Sequence, residues 1–233
     1  SKLDVVDVSF IPISALNGDN VVSRSMNMSW YEGSTLMYYL ENVHIASDHN
    51  LIDNRFPVQY IIRPYSDEYH DYRGYAGRVA GGTFSVGDEV VALPSGFHSK
   101  IKSIQGPKGN QTDAIPPESV TILLEDDIDI SRGDMITRLE NPPVVDKQFT
   151  AKIAWMDQET LTVGNKYVIQ HGVNKVLAKV DKIHHHIKTD FSGTIEGDNQ
   201  LELNDIALVS FKLNKSIFYD AFKNHRTNGS FII

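Results

Sequence analysis

The sequence contains no cysteine, which excludes disulfides, cysteine-ligated zinc and thiol nucleophiles together. A cytoplasmic setting is the expectation that this absence fits best. No apolar run approaches the ~20 residues that a membrane helix needs, and Ser1-Lys2-Leu3-Asp4 does not open a secretory signal. The chain starts without Met and inside what reads as an element, so it is expected to be a fragment of a longer protein. Positive charge is scarce at one end. Residues 1–145 hold 11 Lys and Arg against 20 Asp and Glu, and residues 146–233 hold 11 against 10, for a net charge of -8. A broad phosphate-binding surface has little electrostatic support from such a balance.

What is present is short β-strand patterning. With 233 residues and 41% apolar side chains, the chain has enough material for one large or two small cores. Val5 to Ile13 reads as a buried strand running into an Asn17-Gly18 turn. Ser34 is the expected cap of a helix carrying Leu36, Met37, Leu40 and Val43. One strand and one helix cannot bury their own faces, so residues 1–46 read as the tail of an α/β domain. The polar run His44 to Arg55 supplies a linker over 47–54, and Tyr65 to Tyr72 reads as a polar hairpin loop. Alternating strands then follow over 55–141: Val58 to Ile62, the stretch around Gly81-Gly82, Val90 to Leu93, Ser99 to Ile104, Val120 to Leu124 and Ile128 to Ile136. That count suits a small antiparallel barrel.

Asn141-Pro142-Pro143 breaks the pattern. A second β-unit over 146–233 contains Phe149 to Trp155, Lys166 to His171, Lys175 to Ile187, Gln200 to Leu213 and Ser230 to Ile233. Two local echoes link the halves. Val86-Gly87-Asp88-Glu89 is answered by Val163-Gly164-Asn165-Lys166, and Ser99-Lys100-Ile101-Lys102-Ser103-Ile104 by Ala178-Lys179-Val180-Asp181-Lys182-Ile183. The expected fold is therefore mainly β: two tandem antiparallel barrels preceded by a strand-helix remnant.

A set of motifs adds a family. Ser14-Ala15-Leu16-x-Gly18-Asp19-Asn20, Trp30-Tyr31-Glu32-Gly33, Phe56-Pro57-Val58-Gln59, Arg73-Gly74-Tyr75-Ala76-Gly77 and Asp129-Ile130-x-Arg132-Gly133-Asp134 resemble the translational GTPases of the elongation factor Tu type. Leu93-Pro94-Ser95-Gly96, Thr121 to Asp126, Trp155-Met156 and Asn224-x-Arg226-x-x-Gly229-Ser230-Phe231-Ile232 are more similar to the GTPase subunit of heterodimeric bacterial sulfate adenylyltransferases. The resemblance covers the whole chain. It implies a parent that binds GTP with Mg²⁺ and couples its hydrolysis to making adenosine 5′-phosphosulfate and pyrophosphate from ATP and sulfate. The small catalytic subunit is the implied partner, and it performs the adenylyl transfer. The barrels are the implied scaffold, and in the family a further strand follows Ile233.

The GTP machinery itself is missing from these residues. There is no Gly-x-x-x-x-Gly-Lys-Ser/Thr loop and no Asn-Lys-x-Asp; Asn165-Lys166-Tyr167-Val168 and Asn214-Lys215-Ser216-Ile217 both lack the Asp. Only Ser14, Ala15 and Leu16 match the nucleotide site, as the segment that in the family lies against the guanine. No GTPase activity, catalytic residue, cofactor or metal is expected of this chain alone. The alternative readings are an elongation-factor-like fragment that binds aminoacyl-tRNA and a self-standing β-barrel interaction module.

Other clusters carry weaker chemistry. Of His184-His185-His186, only His184 and His186 share a strand face, with no third ligand nearby. Glu125-Asp126-Asp127-x-Asp129 lacks the Gly and Glu of a calcium loop and reads as a solvated turn. Asp157 and His171 have no Gly-x-Ser-x-Gly elbow to complete a hydrolase triad. Arg73, Arg78, Lys100 and Lys102 read as strand-edge charges rather than a binding patch.

Overall fold

The computed structural model describes residues 9–43, 50–64, 72–188, 192–196 and 198–233. Two compact units divide the chain, Ser1–Asp48 and His49–Ile233. In the first, the helix α1 (Leu36–Asn42) begins at Thr35, whose hydroxyl accepts the Tyr38 N–H. The cap is thus Thr35 and not Ser34, whose carbonyl takes the Tyr31 hydroxyl instead. None of the helix residues is buried within the unit. Residues 5–8 of the expected strand lie outside the described residues, and 9–13 form no strand. Pro12 has no N–H to give a ladder, and its carbonyl is taken by the Asn20 carboxamide at 3.0 Å.

The second unit is almost entirely β. Its first barrel contains β1 (Phe56–Ile62), β2 (Gly74–Arg78), β3 (Phe84–Ser85), β4 (Glu89–Leu93), β5 (Phe97–Gly106), β6 (Gly109–Gln111), β7 (Asp113–Ala114), β8 (Ser119–Leu124) and β9 (Met135–Thr137). Strands pair in the order β4-β9-β1-β2-β8-β5, and β5 returns to β4, so the six close on themselves. Alternation turns Phe56, Phe84, Ile104, Ile122 and Ile136 inward, each fully buried. The expected strand over 128–136 is shorter than its apolar content suggests. Ile128 and Ile130 are buried, but the chain then turns through Ser131–Asp134, where Asp134 accepts the Ser131 N–H. Residues 65–71 of the loop expected over Tyr65 to Tyr72 lie outside the described residues.

The second barrel contains β10 (Val144–Ala154), β11 (Leu161–Thr162), β12 (Lys166–His171), β13 (Asn174–Ile187), β14 (Thr194–Glu196), β15 (Gln200–Leu201) and β16 (Ile206–Tyr219). Its sheet runs β10-β16-β13-β12, with β14 beside β13. That order repeats β2-β8-β5-β4 of the first barrel, and the ribbon β11–β15 repeats β3–β7. The sequence echo marks the same turn twice. Gly87 and Gly164 both have φ +91, a backbone region that favours glycine. Gly87 N–H bonds Ile101 C=O and Gly164 N–H bonds Val180 C=O, both at 2.8 Å.

The barrels differ in closure. In the first, β1 and β9 bridge from β2 to β4. In the second, Ile232 pairs with Gln170 of β12, the position that β9 takes on β4, and among the described residues no strand lies on the outer edge of β10. Phe149, Phe211, Tyr219 and Phe231 cluster there, with Phe149 5.1 Å from Phe231 and 5.3 Å from Phe211 between ring centres. Phe149, Tyr219 and Phe231 line an apolar cleft of about 1350 Å³.

Candidate functional site

Ser14, Ala15 and Leu16 open a tight turn in the first unit. Ser14 pairs with Asp19, its N–H meeting the Asp19 carbonyl at 3.2 Å, while its hydroxyl accepts the Asn17 N–H at 3.3 Å. Gly18 at φ +74 and Asn20 at φ 55 let the chain reverse, and Asn tolerates this region because its short side chain finds local partners. Asn20 is buried, with its carboxamide on the Pro12 carbonyl and the Met28 sulfur, its side-chain oxygen on the Ser25 N–H, and its own carbonyl on the Leu36 N–H. The turn is therefore tied to the helix start. It presents Ala15 exposed and Leu16 95% exposed at its tip. Phe10, Met26 and Trp30 in the same unit are also largely exposed.

The densest polar site lies between the two barrels and was not singled out by motif. Arg55 is 1% exposed and bonds Asp220 through both Nε and Nη2, at 2.8 and 2.7 Å. Its remaining donors reach the carbonyls of Asn54 and Asn141 and the Thr137 hydroxyl. This fork satisfies a charge that burial would otherwise make costly. Asn228 donates to Asp220 at 2.7 Å, and His171 Nε2 meets the Asn228 carbonyl at 2.9 Å. Burial raises the Asp220 carboxyl, but its bonds from Arg55 and Asn228 outweigh that and hold it below its ordinary value. Asn50 donates to the Asn224 carbonyl, and Asn174 of the second barrel donates to the Gly133 carbonyl of the first at 2.8 Å. Gly133 has φ +96 and a Cβ on it would fall 2.2 Å from the Asn174 side chain, which together account for the glycine of the Arg132-Gly133-Asp134 motif.

The remaining clusters are engaged internally. Arg73 is held by Asp127 and Asp129 at 2.5 and 2.8 Å, so the 125–129 turn is charge-paired rather than merely solvated. Lys100 lies 3.5 Å from Glu89, and Arg78 donates to the Pro117 carbonyl. His184 meets the Ser210 hydroxyl, and His186 lies 3.4 Å from Asp198 and 3.7 Å from Asp205. Among the described residues no group of three or more His, Asp or Glu is placed to hold a metal ion. Asp157 accepts the Glu159 N–H and His171 is bonded to Asn228, so their side chains serve the backbone and not a hydroxyl nucleophile. No described helix is long and apolar enough to cross a membrane.

Closed and open antiparallel barrels in tandem, arranged in this way, have counterparts among solved structures. The GTP-eEF1A C-terminal domain-like family matches residues 148–233. A crystal structure of sup35 complexed with GMPPNP superposes with a TM-score of 0.70 at 18% identity, covering 97% of this chain and 55% of that one. The apo elongation factor SelB of Methanococcus maripaludis gives 0.61 at 19%, over 79% and 40%. These likenesses show the fold.

Sequence relatives are more particular. The chain is 44% identical over its whole length to the bifunctional enzyme CysN/CysC of Mycobacterium tuberculosis, of which it covers 38%. It is 43% identical to sulfate adenylyltransferase subunit 1 of Bacteroides thetaiotaomicron, with 99% of this chain and 48% of that protein aligned. The chain is a homologue of these proteins and spans about half or less of their length.

Proposed function

We propose that this chain is the barrel region of a GTP-binding sulfate adenylyltransferase subunit 1, whose parent couples GTP hydrolysis to the formation of adenosine 5′-phosphosulfate and pyrophosphate. The observation that carries the reading is the 43–44% identity to such subunits along the entire chain, far above its 18–19% identity to the translation factors that share the fold. Sulfate is a weak nucleophile and the mixed anhydride is high in energy, so the forward reaction needs a second driving reaction. GTP hydrolysis by the parent supplies it, in the cytoplasm.

Within the chain, Ser14, Ala15 and Leu16 face the guanine, an assignment supported by the braced turn and its exposed tip. The phosphates and Mg²⁺ depend on a Gly-rich loop and an Asp that these residues do not include. The second unit acts as a scaffold for the small adenylyltransferase subunit. The test is binding of the purified chain to that subunit and, in parallel, to aminoacyl-tRNA at low salt. Capture of the subunit without tRNA is the expected result. Salt-sensitive tRNA binding without capture would favour the translation-factor reading instead.

A further inference from the structure

His225 stands at the joint between the barrels, in a segment, 220–229, that folds as successive turns. His225 N–H bonds the Ala221 carbonyl at 3.0 Å, and Gly229 N–H bonds the His225 carbonyl at 2.8 Å. The side chain is 2% exposed. Its ring reaches across to the first barrel and lies over Gly81. A Cβ there would sit 2.3 Å from His225 Nε2 and 2.5 Å from the Asp53 carbonyl oxygen, so the glycine is what admits the ring.

The hydrogen bonds define the protonation state. His225 Nδ1 lies 3.1 Å from the Asn228 backbone N and accepts its N–H. The ring proton therefore belongs on Nε2, which has no acceptor among the described residues. Asn228 is the brace for Asp220, and Asp220 is the partner of Arg55. One proton added at Nδ1 would set two donors against each other at the point that positions Asn228.

The charged groups that face the ring are mixed. Asp220 on the same segment and Asp53 at the entrance to the first barrel favour the imidazolium, and Arg55 beside Asp53 opposes it. His171 on β12 touches the other side of Asn228. Burial is the largest influence and pushes His225 below its ordinary value of 6.5.

We propose that the joint between the barrels is a proton-sensitive latch with His225 as its trigger. Neutral His225 holds segment 220–229 in the form that braces Asp220 on Arg55, and protonated His225 releases it. A released segment, exposed to water, binds the proton more tightly than the closed one. The latch is therefore closed above the ordinary histidine value and opens as pH falls below it. Asp220 stays ionised over that range because its own titration lies below 3.8.

The absence of native cysteine makes a direct test simple. Lys102→Cys and Lys166→Cys place one exposed thiol on each barrel for a pair of pH-insensitive dyes. Energy transfer is measured in the full chain from about pH 8 to about pH 5, alongside the His225 ring resonance in an NMR titration. The expected result is a reversible shift in transfer efficiency below about pH 6.5 that follows the His225 resonance. In His225→Asn, whose side-chain oxygen keeps an acceptor near Asn228, the shift is lost. Constant efficiency while wild-type His225 titrates would overturn the latch, and that observation needs no variant to fold. An unchanged shift in a folded His225→Asn chain would overturn it as well.

Discussion

The two barrels share a strand order and a turn, yet one is closed and the other open. In the first, β1 and β9 arrive from opposite ends of the barrel sequence and seal the sheet, and its core side chains are buried almost completely. In the second, β10 has β16 on one edge alone among the described residues, and Phe149 packs only partly against its core. The same repeated hydrogen bonds at Gly87 and Gly164 thus support two different degrees of burial. Local turn chemistry builds the unit, and long-range pairing decides whether its core is sealed.

The largest effect should come from cutting what joins the two. Arg55→Ala leaves Asp220 without its partner at the joint, a change expected to cost about 3–5 kcal/mol. Urea unfolding should then separate into two transitions, because the barrels lose the buried ion pair among the contacts that join them. Next, paired truncations sharpen the contrast. Phe56→Ala in the closed barrel is expected to cost about 3–5 kcal/mol, whereas Phe149→Ala beside the open edge should cost roughly half as much because less burial is lost.

The joint also gives a pH dependence. His225 is depressed when folded, so its contribution to stability is complete above the ordinary value of 6.5 and declines as pH falls toward the folded value. Asp220 acts in the same direction at lower pH: its stabilisation is present above 3.8 and is lost as the pH drops through its depressed value. Denaturant midpoints should therefore fall in two acid steps, and His225→Asn should remove the upper one. The smallest expected effects are those of Gly87→Ala and Gly164→Ala. Each Cβ meets open space, but the positive φ should cost about 1–2 kcal/mol, and similar values at both sites would verify that the turns are equivalent.

Much of this was legible in sequence because it is local. The Val-Gly turns, the alternating strands and the break at Asn141-Pro142-Pro143 are properties of neighbouring residues. The Asn17-Gly18 turn was local too, and Gly18 and Asn20 complete it with positive φ, whereas the role of Ser14 to Leu16 came from the family resemblance alone. The joint was not legible, since Arg55 and Asp220 lie 165 positions apart, and a lone Arg at the end of a polar run reads as solvated. The capping hydroxyl was misplaced by one residue, since Ser34 and Thr35 have the same chemistry and only backbone geometry separates them. Of the strand expected over Val5 to Ile13, the described residues 9–13 form none, because apolar residues make a strand only where another strand can pair with them.

These barrels are proposed to serve a GTP-driven sulfate-activating enzyme. The most direct test uses the polypeptide carrying this chain, taken from its complete coding sequence and purified with an adenylyltransferase subunit. Pyrophosphate release from ATP and sulfate is followed with and without GTP. A rise in product that requires GTP and proceeds with its hydrolysis is the predicted result. Equal product with and without GTP, or no association of the two chains, would contradict it.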